Sequence, residues 1–182
     1  MNRPTSPLAL TFAAVALAAA ACGAVDDAGD PGDEGLVREI EVELGVWDPA
    51  TSTFSPFEGS GAHDMPIFRG FQGLTLLTFA VRSAEPLPPS MTVSAAFSDL
   101  DGSVAIGQQI DGQAYFEPRG ATEWVFPSMQ VFLTPPEPAA WDGRVLDLEV
   151  EVSGGSRHAL ERARVRLVDA GCQMTSQGFE CP

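Results

Sequence analysis

The pattern that most constrains this chain is an alternation of apolar and polar residues with a period of two. Between Leu146 and Val152 every second residue is apolar, and the residues between them are acidic. Successive side chains of a β-strand point to opposite faces of the sheet, so this pattern predicts strands with one buried face. The same alternation recurs at residues 40–46, 77–81, 91–97, 129–133 and 163–167.

Clusters of proline and glycine separate these segments and are typical of turns. The Asp-Gly pairs at 101–102 and 111–112 favour hairpin turns, because both residues tolerate a positive φ. After residue 21 the chain shows no helical pattern, and we infer about eight to ten short strands. The predicted fold is all-β, an immunoglobulin-like antiparallel β-sandwich, with a sheet closed on itself as the alternative.

The first residues have the composition of an export signal. Arg3 precedes an apolar run from Leu8 to Ala21, which is shorter than the roughly 20 residues that a membrane-spanning helix needs. The run ends in Ala-Ala-Ala-Cys22, which resembles the signal of bacterial lipoproteins, except that Ala19 stands where leucine is usual. The resemblance implies that residues 1–21 are a signal peptide and that Cys22 is acylated. A signal peptide cleaved after an alanine is the alternative.

The segment after Cys22 is predicted to be a tether. Residues 22–35 contain five carboxylates and no apolar pattern, so they cannot bury enough surface to fold. Residues 36–182 are long enough for a single domain with its own core. Lipoproteins retained at the inner membrane often carry aspartate directly after the cysteine, and here that residue is Gly23. The resemblance therefore implies an outer-membrane lipoprotein, facing the periplasm or the cell surface.

The remaining cysteines are expected to form a disulfide. If Cys22 carries lipid, Cys172 and Cys181 are left as an even pair in an oxidising compartment. A metal site is the alternative, but two cysteines without a nearby histidine are a poor zinc ligand set. We expect no cofactor.

The charge of the chain excludes one class of partner. There are 10 basic residues, all arginine, and 25 acidic ones, which gives a net charge of −15. Such a field repels nucleic acid and anionic lipid headgroups. Nucleic acid is therefore not an expected partner, and contact with the membrane is expected only through the N-terminal lipid.

Charge also predicts how two strands pair. Asp147, Glu149 and Glu151 alternate along one predicted strand, and three arginines alternate along the next. A hairpin is expected to place Glu151 opposite Arg162 and Glu149 opposite Arg164, because opposite charges across strands stabilise a register. The acidic residues 39, 41 and 43 are expected to lie on the other side of the arginine strand.

Two further groups are candidates for chemistry. Asp99 and Asp101, in Asp-Leu-Asp-Gly, resemble a fragment of a calcium loop, and a hairpin turn is the alternative. His63 and Asp64 are adjacent and Ser60 is near, but a nucleophilic site also needs groups that converge in space around a reacting atom. The sequence contains no motif that is typical of a catalytic site, so we expect no catalysis.

The stretch Gly70-Phe71-Gln72-Gly73 suits a chain reversal before a strand. The alternative is that Phe71 and Gln72 form an interaction site for an envelope protein or a polysaccharide. Together with Leu44-Gly45 and Phe54-Ser55-Pro56-Phe57, this stretch resembles uncharacterised lipoproteins of high-GC Gram-negative bacteria. That resemblance covers about residues 40–82, and it implies a sandwich fold and surface attachment without a known activity.

We therefore expect a lipid-anchored, non-catalytic binding or scaffolding module. The alternatives are a calcium-dependent adhesion domain, a carbohydrate-binding domain and a hydrolase.

Overall fold

The computed structural model describes residues 37–88, 91–109, 114–120, 122–176 and 178–182. They belong to one compact unit, Gly35–Pro182. The predicted signal peptide, the predicted lipid attachment at Cys22 and the predicted tether lie outside the described residues, so these three remain predictions.

The described residues form strands joined by short turns, and the all-β prediction is confirmed. This part of the chain contains no α-helix, only two single 3-10 turns at Phe71–Gly73 and Pro138–Ala140. In chain order the strands are β1 (Arg38–Glu39), β2 (Val42–Asp48), β3 (Thr53–Pro56), β4 (His63–Arg69), β5 (Thr75–Ser83), β6 (Thr92–Asp99), β7 (Val104–Gln109), β8 (Glu117–Pro118), β9 (Trp124–Phe132), β10 (Val145–Gly154), β11 (Arg157–Thr175) and β12 (Gly178–Glu180).

The strands are connected by hydrogen bonds into one mixed sheet. Its main path runs β3-β2-β5-β4-β11-β10-β6-β7, while β9 pairs with β5 and β8, and β11 also pairs with β1 and β12. Most pairs are antiparallel, but β1 and β4 run parallel to β11. The predicted purely antiparallel arrangement is wrong for these two pairs. The alternation along a strand shows which face is buried, but it does not show which strand lies beside it. β4 pairs with β11 although the two are about a hundred residues apart in the sequence, as Asp64 beside Arg166 illustrates.

The buried face follows the period-two pattern. In β10, Leu146, Leu148, Val150 and Val152 have no solvent exposure, whereas the acidic residues between them are partly or wholly exposed. These side chains pack in one cluster with others from β2, β4, β5, β6, β9 and β11. Full burial of a large apolar side chain contributes about 1.5–3 kcal/mol, so this cluster is the main source of stability.

The hairpin of β10 and β11 pairs the acidic strand with the arginine strand, as predicted, but its register differs by two residues. Glu149 lies opposite Arg162, and Asp147 lies opposite Arg164. The chain reverses through Gly155 and the residue after it, and Gly155 has a φ of +59°. A two-residue hairpin loop needs such a left-handed residue. The position of Gly155 in the loop therefore sets the register of β10 with β11. A shift of two keeps every side chain on its predicted face.

The expected second acidic row is mostly absent from the other side of β11. Only Glu39 lies there, opposite His158, because the chain then leaves β11 and continues as β2, which pairs with β3 and β5. β4 takes that place, and its Asp64 lies 2.6 Å from the guanidinium of Arg166. This part of the prediction was wrong.

Candidate interaction site

The turn between β4 and β5 reverses the chain, as its two glycines predict. The Gly70 N–H donates a hydrogen bond to the Leu74 carbonyl at 2.7 Å, which closes the turn. Inside it Gly73 has a φ of +78° and Gln72 a φ of +63°. Left-handed backbone costs an ordinary L-residue about 1–2 kcal/mol. Gly73 therefore suits its position, whereas Gln72 is held against its backbone preference.

The turn presents two large apolar side chains to solvent. Phe71 is 59% exposed and Leu74 is 47% exposed, and Gln72 between them is exposed as well. Phe132 of β9 is 45% exposed and lies opposite Leu76 of β5. We call Phe71 and Leu74 the apolar patch.

The turn stands on a buried base made from the strand ends and the C-terminus. Phe68, Leu76 and Cys172 are buried together, and Phe179 of β12 packs edge-on against Phe68 with ring centroids 4.8 Å apart. A disulfide joins Cys172 to Cys181 and ties β12 to β11. The staple expected from the two cysteines therefore holds the base on which the candidate residues Phe71 and Gln72 are displayed.

Sequence reasoning missed a cluster of arginine and aromatic side chains on β2, β3 and β5. The guanidinium carbon of Arg82 lies 4.5 Å from the ring centroid of Phe54, and the same guanidinium lies 2.5 Å from the Glu43 carboxylate. Burial alone would lower the pKa of Arg82, but hydrogen bonds with Glu43 and Glu123 raise it above the usual value. A second guanidinium stacks on Trp47. No local pattern reveals these contacts, because each joins residues far apart in the sequence.

The weak calcium candidates Asp99 and Asp101 lie at the turn between β6 and β7. Arg144 donates to the Asp99 carboxylate, and the Ser103 N–H donates to the Asp101 carboxylate at 3.0 Å. The hydrogen bond from the Ser103 backbone lowers the pKa of Asp101 below its usual value. These are the contacts of a side-chain-stabilised turn. No group of three potential metal ligands gathers in the described part of the chain, and calcium binding remains a prediction.

His63 and Asp64 do not form a catalytic pair in this structure. They are neighbours on β4, and neighbouring strand residues point to opposite faces. The His63 ring stacks on Phe57 with centroids 5.1 Å apart, while Asp64 forms an ion pair with Arg166. Ser60 lies in the loop before β4, so the structure does not assemble the three as a triad.

Comparison with known protein families and with curated proteins finds no match to this chain. Within the described ranges, no helix has the length and apolar character to cross a membrane. The function therefore has to be argued from the residues themselves.

Proposed function

We propose that this protein is an outer-membrane lipoprotein that binds another envelope protein through the apolar patch and performs no catalysis. The observation that carries the proposal is the exposure of Phe71 and Leu74 on a turn whose backbone is closed by its own hydrogen bond. Aromatic side chains, phenylalanine among them, are enriched at protein interfaces relative to the rest of the surface. A turn that is already ordered loses little conformational entropy when a partner binds.

The chemistry of the patch favours a protein partner over a polysaccharide. Residues 70–81 carry no charged side chain, although the chain has a net charge of −15. Gln72 supplies the only polar side chain among residues 70–74. A polysaccharide would leave many hydroxyl groups without partners there, whereas an apolar pocket of a protein would bury Phe71 and Leu74 at no such cost.

The position of the patch supports display to a partner. The chain enters the domain at Arg38, which lies beside Arg157 at the start of β11. The turn follows Arg69, which lies beside Gln173 near the other end of that 19-residue strand. The first described strand and the patch therefore lie near opposite ends of β11.

We also propose that the sheet folds over into a sandwich of the immunoglobulin-like type. β4 pairs with β11 over most of its length and with β5 at Phe68 and Arg69, so it links two groups of strands. One group contains β6, β10 and β11, and the other contains β2, β5 and β9. Side chains from both groups, such as Leu148 and Phe79, share one buried cluster, as the two inner faces of a sandwich do.

Cross-linking in intact cells, followed by mass spectrometry of what co-purifies with the tagged full chain, tests the function. The informative variant is Phe71→Ala. Its matched control is Leu100→Ala, because Leu100 is 60% exposed in a different turn. We expect one dominant protein partner, lost in Phe71→Ala and kept in Leu100→Ala.

Three outcomes would contradict the proposal. A partner retained by Phe71→Ala places the interaction elsewhere, and a glycan in place of a protein refutes the partner class. Equal loss in both variants would indicate a general effect of removing surface apolar groups. Thermal unfolding of each variant checks that the fold is intact.

A further inference from the structure

We propose that two copies of this chain pair through the open edge of β9. This surface is distinct from the turn at Phe71, and the inference does not depend on the proposed envelope partner. It rests on the hydrogen bonding and the charge of β9.

One edge of β9 lacks a partner strand over most of its length. β5 pairs with β9 along one side. On the other side β8 covers only Trp124 and Val125, and no other strand of the described part pairs with that edge. Among the described residues, the stretch from Ser128 to Phe132 therefore has one side without a partner strand.

The direction of the free backbone groups follows from the ladder. The Leu133 N–H donates to the Thr75 carbonyl at 2.9 Å. Hydrogen-bonded and non-hydrogen-bonded pairs alternate in an antiparallel ladder. The backbone N–H and C=O groups of residues 131 and 129 therefore also point towards β5. Those of Ser128, Gln130 and Phe132 point away from β5 and are available to another strand.

From Ser128 to Phe132 the edge carries no charge that would discourage pairing. Natural edge strands carry charges or proline that discourage another chain from adding. Residues 124–136 carry no charged side chain, in a chain of net charge −15. Pro127 lies at the irregularity in the β5–β9 ladder, where the alternation shifts by one residue, and it marks the end of the outward stretch at Ser128.

The edge can pair with its own copy about Gln130, the central outward residue. Antiparallel pairing around a two-fold axis would place Gln130 opposite Gln130 of the second copy, and Ser128 opposite Phe132 of the second copy. These three outward pairs would exchange about six backbone hydrogen bonds. Phe132 is 45% exposed and would lose part of that exposure. A second copy is favoured because no like charges meet along the line of contact.

One added strand pair buries less than a standard interface, so the dimer should be weak. Each copy carries a net charge of −15, and the repulsion between copies is long-range. Salt shortens the range of that repulsion. The association should therefore strengthen as salt is raised from about 20 mM to about 500 mM.

Site-specific cross-linking of the full chain in cell membranes tests the pairing. In Gln130→Cys the two new thiols would lie on the two-fold axis with Cα atoms about 5.5 Å apart, a distance that a disulfide spans. Thr78→Cys is one control, because Thr78 lies opposite Gln130 but one strand further in. Ser128→Cys is a register control, because two copies of Ser128 would lie too far apart to join.

After mild oxidation we expect a covalent dimer on a non-reducing gel from Gln130→Cys, at about tenfold the level of either control. Equal cross-linking in all three variants would reflect random collision and would overturn the proposal. So would the absence of a Gln130→Cys dimer in a variant that melts like the wild type. As a second measurement, sedimentation velocity of the detergent-solubilised wild type should show a dimer whose fraction rises with salt. A monomer at every salt concentration, at protein concentrations of about 100 μM, would refute it.

Discussion

Replacing Gln72 by glycine should stabilise the protein, although it removes a side chain. Gln72 has a φ of +63°, a conformation that costs an L-residue about 1–2 kcal/mol. Glycine relieves this strain but lowers the free energy of unfolding by about 0.5–1 kcal/mol, because the unfolded chain has greater conformational freedom at a glycine. The net gain should be about 0.5–1 kcal/mol, which is a rise in Tm of about 1–4 °C for a domain of this size.

Three further variants separate the backbone from the side chain. Gln72→Ala keeps the left-handed strain and should change the stability by less than about 0.5 kcal/mol. Ser52→Gly relieves a similar φ of +54° in another turn and should give a similar gain. Gly73→Ala should lose about 1 kcal/mol or more, and the loss would come from the backbone, since nothing lies within 4 Å of the added Cβ.

Thermal unfolding followed by circular dichroism, with urea unfolding as a check, measures these changes. If Gln72→Ala stabilised the protein as much as Gln72→Gly, the strain would not lie in the backbone and the reasoning would be refuted. If neither variant changed Tm while Ser52→Gly did, the turn would relax freely and could not present Phe71 in a fixed place.

Three other changes have calculable effects. Gly45→Ala should destabilise by about 1–3 kcal/mol or more in urea unfolding, because the new Cβ would lie 2.3 Å from the Ser55 carbonyl oxygen; an unchanged midpoint would contradict this close approach. Cys181→Ser opens a disulfide between residues nine apart and should lower the free energy of unfolding by about 2–3 kcal/mol. Equal stability of the oxidised and reduced wild type would show that the disulfide contributes nothing. Hydrogen bonds from the Thr51 hydroxyl, and then from the Ala50 amide, lower the pKa of Asp48. The ionised carboxylate should therefore stabilise this turn at pH values above the unfolded pKa of about 3.9. That stabilisation should be lost as the pH falls through the folded pKa. Thr51→Val should move the Asp48 pKa back towards about 3.9 in an NMR titration, and no movement would show that the hydroxyl is not the cause.

Much of the local structure was predictable because its causes are local. The alternation that buries Leu148 and exposes Glu149 is written in consecutive residues, as is the reversal at Gly70–Gly73. The candidate residues Phe71 and Gln72 were found for the same reason, since glycines on both sides mark a turn and turns lie at the surface. What could not be predicted was that the Cys172–Cys181 staple stands under that turn.

The sequence by itself determined that the described part of the chain is all-β, which face of each strand is buried, and that an acidic strand pairs with an arginine strand. Only the tertiary structure decided the two-residue register of that pair, the parallel contact of β4 with β11, and the stacking of Arg82 on Phe54. The physical reason is range: period and turn propensity act within a few residues, whereas strand partners are chosen by packing between segments far apart in the chain. The open edge of β9 was likewise decided by the tertiary structure, because a strand lies at an edge only when no other strand pairs with that side.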